Sequence, residues 1–352
     1  MSTFVDLLRQ HHQALETEYS RELSPDIRRA MYAMMMCQTP QQRQSLWACE
    51  HCQHHDRSPL SCGHRHCPQC QQNTTSQWLD RQQAKLLPVE YFMVTFTLPF
   101  ELRALVRKRP KAMFKLMFSV TSSILKDFAT RQGLGDIGFT SVLHTHSRRR
   151  ALHPHLHIIV PNGGYNPARK QWRKGKKGYL FNAFSLAKVW RARVFEAIKK
   201  HPELSLTHIK MMPKKWVVDC KNVGQGLPAL KYLSRYLYRG VLPDKDIIHY
   251  DQRTVTFRYT DSATNKTTHR TLPTLKFLML ILQHVLPKGL QRVRDYGLLS
   301  SGAKQLRLII QLLLLPVSDW LNTTKATTTL KASKICPCCQ HTMHCTGVTR
   351  IP

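Results

Sequence analysis

The chain has 352 residues, which is more than one ordinary core needs and predicts two or three domains. It has 53 Lys and Arg residues against 21 Asp and Glu residues, a formal net charge of +32, yet 42% of its residues are hydrophobic, which excludes a disordered polycation. This excess of positive charge favours a polyanionic partner, above all nucleic acid.

Neither a membrane-spanning segment nor a signal peptide is apparent. The longest apolar stretches, residues 271–286 and 306–315, are each interrupted by a basic residue. Residues 1–19 carry charges at helical spacing instead of an apolar core. We therefore expect a cytoplasmic protein without membrane contact. In that reducing compartment, its eleven cysteines are expected to be thiols available to a metal ion.

The first part of the chain is predicted to be helical as far as about residue 48. A second helix should begin at Ser24, an N-cap residue followed by Pro25 at the first helical position. Residues 49–70 are dense in Cys and His and poor in large apolar residues. Because such a segment cannot bury a core, it needs a cross-link.

Two Cys-x-x-Cys pairs in this segment have a spacing close to that of structural zinc sites. Four thiolates can close a tetrahedron around the ion, and metal binding should supply most of the local folding energy. The predicted Zn²⁺ ligands are Cys49, Cys52, Cys67 and Cys70. The alternatives for one of these thiolates are Cys62, His64 and His66.

Strands and helices alternate in the next part of the chain. Residues 91–98 are β-branched and aromatic and lie between two prolines, which predicts a buried strand. Residues 102–131 have helical periodicity, and residues 138–146 and 155–160 are predicted to be strands joined by a basic turn. The remaining predicted elements are helices at 228–239 and 272–285 and a strand at 255–259. No internal repeat is apparent.

Positive charge is concentrated in the middle of the chain. Residues 137–195 include twelve Lys or Arg residues and no Asp or Glu. The densest run is either a solvated loop or a loop that contacts phosphates, with Trp172 and Tyr179 available for base stacking. The lack of acidic residues favours the second interpretation. The predicted DNA-contacting residues of this run are Arg169, Lys170, Arg173, Lys174, Lys176 and Lys177.

A histidine motif follows the basic turn. On a strand, His155 and His157 project from the same face about 7 Å apart, while the apolar residues between and after them face a core. Two imidazoles on one face suit a divalent ion with open positions for a phosphate oxygen. By itself the motif is weak, because the chain has 19 histidines.

A tyrosine-rich helix supplies a candidate nucleophile. At about 100° per residue, Tyr232 and Tyr236 share one stripe of the helix beside a stripe of leucines. Arg235 and Arg239 flank the phenols and suit phosphate. The alternative is an aromatic core helix. Together with the histidine pair, a phenol offers what strand cleavage through a phosphotyrosine requires.

The tail contains one further cysteine pair, Cys336 and Cys339. Cys345 and His341 or His344 lie near it in the sequence. The sequence leaves open whether this group forms a second zinc site.

Five motifs, taken in this order, resemble the two-tyrosine HUH transposases of bacterial insertion sequences, the family numbered ninety-one. This family is related to Helitron and rolling-circle replication proteins. The motifs are Ser61 to Cys70, Leu86 to Val89 with Phe96 to Pro99, His153 to His157, Tyr232 to Tyr236, and His284 to Gly289.

The resemblance implies an enzyme that nicks and rejoins single-stranded DNA at the ends of an insertion sequence by rolling-circle transposition. It implies that His155 and His157 bind catalytic Mg²⁺ or Mn²⁺ and that Tyr232 and Tyr236 form 5′-phosphotyrosine intermediates. The third metal ligand stays open among His144, His146, His153 and Glu90. The expected setting is the nucleoid of a bacterial cytoplasm, and assembly as a homo-oligomer stays open.

The expected fold is α+β, an HUH-type antiparallel sheet with helices on one face, at residues 89–300. A helical and zinc-binding DNA-recognition module at 1–88 precedes it, and a basic helical tail with a Cys-rich end at 301–352 follows it. Two alternative functions are a rolling-circle replication initiator and a non-catalytic zinc-containing protein that binds nucleic acid without cleaving it.

Overall fold

A computed structural model of the chain describes residues 2–70, 72–207, 211–238, 241–261, 264–315 and 334–349. The side chains at 72–77 and 235–238 lie outside this description. Within the described ranges, no helix has the length and apolar character needed to cross a lipid bilayer.

The helices in the described residues are α1 (Thr3–Glu18), α2 (Pro25–Met35), α3 (Gln72–Gln83), α4 (Arg103–Lys108), α5 (Pro110–Arg131), α6 (Ala183–Lys200), α7 (Leu227–Tyr238), α8 (Thr274–Leu282) and α9 (Lys304–Leu314). The strands are β1 (Gln44–Ala48), β2 (His55–Pro59), β3 (Tyr91–Thr97), β4 (Gly138–His146), β5 (Leu152–Pro161), β6 (Gly163–Asn166), β7 (Gln171–Lys174), β8 (Val218–Asn222), β9 (Ile247–Tyr250), β10 (Thr254–Thr260), β11 (Thr267–Pro273), β12 (Val293–Gly297), β13 (Lys334–Ile335) and β14 (Thr342–Val348).

The central feature is a five-stranded sheet in the order β12-β4-β5-β3-β8, in which every neighbouring pair is antiparallel. β3 forms as predicted because its β-branched and aromatic residues suit a pleated, buried strand. Its residues alternate, so that Phe92, Val94 and Phe96 enter the main core. The predicted α+β class with an antiparallel sheet is confirmed.

Helices cover both faces of this sheet, so the expectation of helices on one face is wrong. α5 and α6 pack on the face that carries Phe96 and Leu156. α7, with Trp78 of α3, packs on the opposite face against Val142 and Ile159. The cause lies in β5, whose continuous apolar run after the histidine motif is buried on both faces.

The first two helices share a core with a later part of the chain. Phe4 of α1 packs edge-on against Phe277 of α8, with ring centroids 6.3 Å apart. Val255 and Phe257 of β10 are buried in the same cluster. This core crosses the predicted boundary at residue 88, and the division into 1–88, 89–300 and 301–352 stays a prediction about independent folding units.

A second, four-stranded sheet has the order β13-β14-β1-β2. β1, for which the sequence predicts a helix, is a strand that pairs with β2 on one side and with β14 on the other. The tail is helical in α9, and its described Cys-rich end forms the β13–β14 hairpin. The helix predicted at β1 is wrong because pairing with a distant segment overrides local helical periodicity.

Candidate active site and cysteine clusters

Three histidines meet at one end of the central sheet. His155 and His157 alternate on β5, and the antiparallel register places His144 of β4 directly opposite His155. The ring centroids of His155 and His157 are 4.8 Å apart, and those of His144 and His157 are 4.6 Å apart. One ring nitrogen of each histidine lies within 4.8 Å of the others, so the three can hold a single ion.

Neighbouring oxygens orient the two rings on β5. Nδ1 of His155 donates a hydrogen bond to the carbonyl oxygen of His153 at 2.7 Å, which leaves Nε2 as the unprotonated ligand atom. Nδ1 of His157 is hydrogen-bonded to the hydroxyl of Thr95 at 2.9 Å. Hydrogen bonds of this kind fix the ring orientation of metal-binding histidines.

Burial keeps these imidazoles neutral. It lowers the pKa of His155 to about 3 and that of His157 to about 4, and it holds the pKa of His144 well below its ordinary value. Neutral imidazole is the form that binds a metal ion. The three residues therefore fit a divalent cation, and three nitrogen donors suit Mn²⁺ better than Mg²⁺.

The geometry favours His144 over the other three candidates for the third ligand. His146 and His153 line the same cleft. Among the described residues, however, His144 is the only one of the four candidates with a ligand atom within 4.8 Å of those of both His155 and His157. Nδ1 of His153 accepts a hydrogen bond from the guanidinium of Arg103 at 2.7 Å. Glu90 precedes β3, at the far end of that strand, where its carboxylate accepts a backbone hydrogen bond.

Helix α7 brings a phenol to the histidines. It begins after Gly226, whose φ is +83° and at which an added Cβ would lie 2.9 Å from a buried tyrosine ring. Leu230 and Leu233 are buried against the central sheet. Tyr232 lies between them in the sequence and lines the cleft with 41% of its surface exposed. Its ring centroid is 6.2 Å from that of His157.

The rest of the predicted tyrosine motif is described only in part. Tyr236 belongs to α7, one turn beyond Tyr232, but its side chain and that of Arg235 lie outside the described residues. Arg239 also lies outside them. The expectation that both phenols and both guanidiniums line the site stays a prediction.

Tyr232 and the three histidines line an open cleft of about 630 Å³. Arg148 and Arg150, in the turn between β4 and β5, supply positive charge, and none of the described residues that line the cleft is acidic. From its sequence this turn is predicted only to connect the two strands. The signal that could have identified it is a run of three arginines shortly before the histidine motif. The remaining lining residues are Thr95, Thr97, His146, Ser147, His153, Thr260 and Asn265.

The basic run predicted to contact DNA lies away from this cleft. β6 and β7 form a hairpin that follows Pro161, at the opposite end of β5 from His155. These two positions are six steps apart along the strand, which is about 20 Å at 3.3 Å per residue. Trp172 is half-buried in a small apolar cluster, whereas Tyr179 is 42% exposed. All of the predicted basic residues are exposed: Arg169, Lys170, Arg173, Lys174, Lys176 and Lys177.

The predicted zinc ligands fall into two clusters, so the prediction that they form one site is wrong. β2 runs between the two Cys-x-x-Cys pairs and separates them, and each pair meets other cysteines. The first cysteine cluster contains Cys37, Cys62, Cys67 and Cys70. The second cysteine cluster contains Cys49, Cys52, Cys336 and Cys339. The number of cysteines is a signal that the sequence offers for two sites, because one four-cysteine site would leave the other four of these eight cysteines without a metal ion.

Both clusters offer four sulfur donors, the ligand set of structural zinc sites. Burial raises the pKa of Cys37 to about 12, so zinc binding in the first cluster must displace a proton. In the second cluster, burial opposes ionisation of Cys336. Hydrogen bonds from the backbone amides of Cys339 and Cys338, together with those from the thiols of Cys52 and Cys339, outweigh that effect and lower the pKa of Cys336 to about 6.

The first cysteine cluster is hydrogen-bonded to a turn at residues 286–290. The guanidinium of Arg65, between two of the cluster's cysteines, donates to three backbone carbonyls of this turn. Nε2 of His66 accepts a hydrogen bond from the backbone amide of Leu286 at 3.0 Å. The cluster and the turn are therefore held together by groups on adjacent residues.

The same turn is connected to the cleft. His284, which precedes it, donates from Nε2 to the carbonyl oxygen of Arg150 at 2.8 Å. Arg150 lies in the turn between β4 and β5, the two strands that carry the histidines. A chain of direct contacts thus runs from the first cysteine cluster to one wall of the cleft.

Comparison with known proteins identifies two matching regions. Residues 7–98 match an IS91-type model described as "Transposase zinc-binding domain", and residues 138–306 match a Y2-type model described as "Putative transposase". The chain is 30% identical over 325 residues to "Putative transposase y4qJ" of Sinorhizobium fredii, over 86% of this chain and 81% of that protein. It is 26% identical over 263 residues to "Transposase for insertion sequence element IS801" of Pseudomonas savastanoi pv. phaseolicola, over 68% of this chain and 62% of that protein.

No solved structure matches the chain. The first cysteine cluster lies within residues 7–98, and the three histidines and Tyr232 lie within 138–306. The resemblance inferred from the sequence motifs is confirmed, and the cysteine clusters agree with zinc binding. The chain belongs to the IS91 family of transposases.

Proposed function

We propose that this transposase cuts and rejoins single-stranded DNA at the ends of its insertion sequence through a 5′-phosphotyrosine intermediate, by rolling-circle-type transposition in the nucleoid. The observation that carries the proposal is the position of Tyr232 beside the group His144, His155 and His157 in an open, basic cleft. The zinc-binding region at 7–98 favours a transposase over a replication initiator.

His144, His155 and His157 would hold a catalytic Mg²⁺ or Mn²⁺ ion, which supplies Lewis-acid polarisation of a phosphoryl oxygen. The phenol oxygen of Tyr232 forms a bond to phosphorus, and the bond from phosphorus to the 3′ oxygen breaks. The phenol proton is released, and the 3′ oxygen leaves as a hydroxyl. Because no water is consumed, the phosphotyrosine ester can be attacked later by another 3′ hydroxyl, which rejoins the DNA.

The charges of the described residues suggest a path for the DNA. Arg148 and Arg150 line the cleft and can contact the phosphates next to the scissile bond. The β6–β7 hairpin, which follows the opposite end of β5, can contact flanking DNA farther from the scissile bond. Tyr236 would serve as the second nucleophile, with Arg235 and Arg239 at the phosphates.

The test is an adduct assay with the full chain, Mn²⁺ and single-stranded oligonucleotides from both ends of the element. We expect a covalent adduct to the 5′ phosphate, and its loss in the double variant Tyr232→Phe and Tyr236→Phe without loss of binding. Tyr179→Phe is the matched control because Tyr179 is similarly exposed, at 42%, but lies outside the cleft. Arg173→Ala with Lys174→Ala should weaken binding and lower the slope of its salt dependence by about 0.7 for each phosphate of the single strand that these side chains neutralise.

An adduct that persists in the double tyrosine variant would contradict the assignment of the nucleophiles. Normal binding with no adduct under any metal condition would instead support a protein that binds nucleic acid without cleaving it.

A further inference from the structure

We propose that Cys49, Cys52, Cys336 and Cys339 bind a second structural Zn²⁺ ion, which joins two distant parts of the chain into one zinc ribbon. The sulfur atoms of Cys49 and Cys339 belong to residues 290 positions apart in the sequence. Cys336 and Cys339 lie outside both regions that match the family models, residues 7–98 and 138–306. The inference does not depend on the proposed DNA chemistry.

The two halves of the site share a sequence pattern and a turn geometry. Each half reads Cys-x-x-Cys-Gln-His, beginning at Cys49 and at Cys336, so the chain carries a short repeat against the expectation of none. In both halves the amide of the first cysteine donates to the carbonyl of the histidine, at 2.9 Å and 2.8 Å. The glutamines, Gln53 and Gln340, are both left-handed, with φ of +58° and +60°. Two copies of one turn, each between two strands, form the pattern of a zinc ribbon.

Strand pairing brings the two halves together. β1 leads into the first half, and β14 follows the second; the two strands pair so that Trp47 lies opposite Cys345. This register leaves the Sγ atoms of Cys49 and Cys339 3.4 Å apart and those of Cys52 and Cys336 3.5 Å apart. Tetrahedral zinc with bonds of about 2.3 Å needs sulfur atoms about 3.8 Å apart. Zinc binding therefore requires only a small expansion of the cluster.

The ribbon has too little apolar surface to hold itself together. Its described core consists of Cys49, Cys336 and Met343, with Trp47 and Cys339 partly buried beside them. Free thiols at the centre of so small a core contribute little stability, whereas a metal ion can supply the folding free energy of such a module. The observation that two of the three buried residues are cysteines of the cluster points to an ion at the centre.

A neighbouring group of His51, Cys339 and His341 shares one sulfur with the cluster. The rings of His51 and His341 are stacked, with centroids 3.9 Å apart and planes at 7°. Four sulfur donors close a tetrahedron and leave no position open, which is the arrangement of structural zinc. The four-cysteine group is therefore the site, and the two histidines form its outer edge.

The experiment measures zinc per full-length chain by native mass spectrometry. The double variant Cys336→Ser with Cys339→Ser should lose one zinc ion relative to the unaltered protein, and so should Cys49→Ser with Cys52→Ser. Cys338→Ser is the matched control, because this exposed cysteine lies between the two ligands but outside the cluster, and it should retain the full count. His51→Ala with His341→Ala should also retain it. Because each variant is compared with the unaltered protein, any zinc bound at the histidines of the cleft contributes equally to both counts and cancels in the difference.

Hydrogen exchange supplies a second measurement that does not depend on yield or metal count. Either double cysteine variant should lose exchange protection in both β1 and β14, by at least tenfold, while β3 and β5 stay protected. Unchanged zinc content in either double variant would overturn the proposal. Loss of zinc in the histidine variant would also overturn it, because the ligand set would then be different.

Discussion

Each of the two cysteine clusters offers four sulfur donors, but the clusters lie in cores of very different size. Cys37 and Cys67 of the first cluster are buried in a core of twenty described residues that includes α1, α2, α8 and β10. The second cluster lies in a core with three fully buried residues. The first cluster is also hydrogen-bonded, through Arg65 and His66, to the turn at 286–290. The importance of a zinc site thus depends on what packs and bonds around it.

The largest effect is expected from Cys67→Ser. Structural zinc sites contribute on the order of 10 kcal/mol, which is comparable to the stability of a whole domain. Cys67 is fully buried, so we expect loss of one zinc ion, unfolding of the shared N-terminal core, and loss of DNA cleavage. Urea unfolding followed by circular dichroism checks the result. Cys220→Ser, a half-buried thiol in the main core outside both clusters, is the control. A Cys67→Ser protein that unfolds at the unaltered midpoint would refute the structural importance of the first cluster.

The next largest effect is a fall in the free energy of unfolding at acid pH, caused by the buried imidazole of His284 near the first cluster. Burial lowers the pKa of His284 to about 4, from about 6.5 in an unfolded chain. As the pH falls from 6.5 to 4, the unfolded chain binds a proton that the folded chain does not, so stability falls by up to about 3 kcal/mol. Above about pH 6.5 this imidazole is neutral in both the folded and the unfolded chain, so its titration no longer changes the stability.

The control variant for that prediction is His284→Asn. Asparagine keeps a donor for the carbonyl of Arg150 but does not titrate, and any loss caused by zinc release is common to both proteins. The free energies of unfolding of the unaltered protein and of the His284→Asn variant should converge as the pH falls from about 6.5 to about 4. Parallel curves would show that His284 is not the titrating group.

A smaller effect is expected from Arg65→Lys. Lysine keeps the positive charge but cannot span the three carbonyls to which the guanidinium donates. Because Arg65 is partly open to solvent, we expect a loss of about 1 kcal/mol together with slower DNA cleavage and unchanged zinc content. Arg57→Lys, at an exposed position on β2, is the matched control. Equal cleavage rates in the two variants would argue against a connection between the first cluster and the cleft.

The smallest effect on global stability should come from the double variant Cys336→Ser with Cys339→Ser. We expect the main unfolding transition to shift by less than about 1 kcal/mol, because the ribbon shares little core with the rest of the described structure. The rate of adduct formation in a single-stranded oligonucleotide should stay within about twofold of the unaltered rate. A collapse as large as that of Cys67→Ser would show that the two clusters stabilise one unit.

Local periodicity is sufficient to predict several parts of the site. The alternation of His155 and His157 on a strand and the leucine stripe of the helix that carries Tyr232 are both found in the structure. The predicted bounds of β3 agree with the observed strand within one residue. In each case the signal lies within a few residues, because the pleat of a strand and the turn of a helix are short-range properties.

Long-range pairing is not predictable from the same signals. A β-bulge between His144 and His146 shifts the register of β4 against β5, and the sequence does not show which of these two histidines faces His155. The sequence also does not identify the partners of Cys49, because spacing along the chain favours Cys67 whereas strand pairing brings Cys339 to it. The charge of the basic hairpin indicates DNA, but its distance from the histidines depends on where β5 ends.

The position of β1 between β2 and β14 has a consequence for biosynthesis. A ribosome that adds about 5–20 residues per second needs roughly 15–60 s to travel the 290 residues from Cys49 to Cys339. During that interval β1 has one neighbour instead of two, and its exposed edge and paired thiols are open to other molecules. A polypeptide that ends before Cys336 therefore keeps Cys49 and Cys52 without the other two ligands of the second cluster.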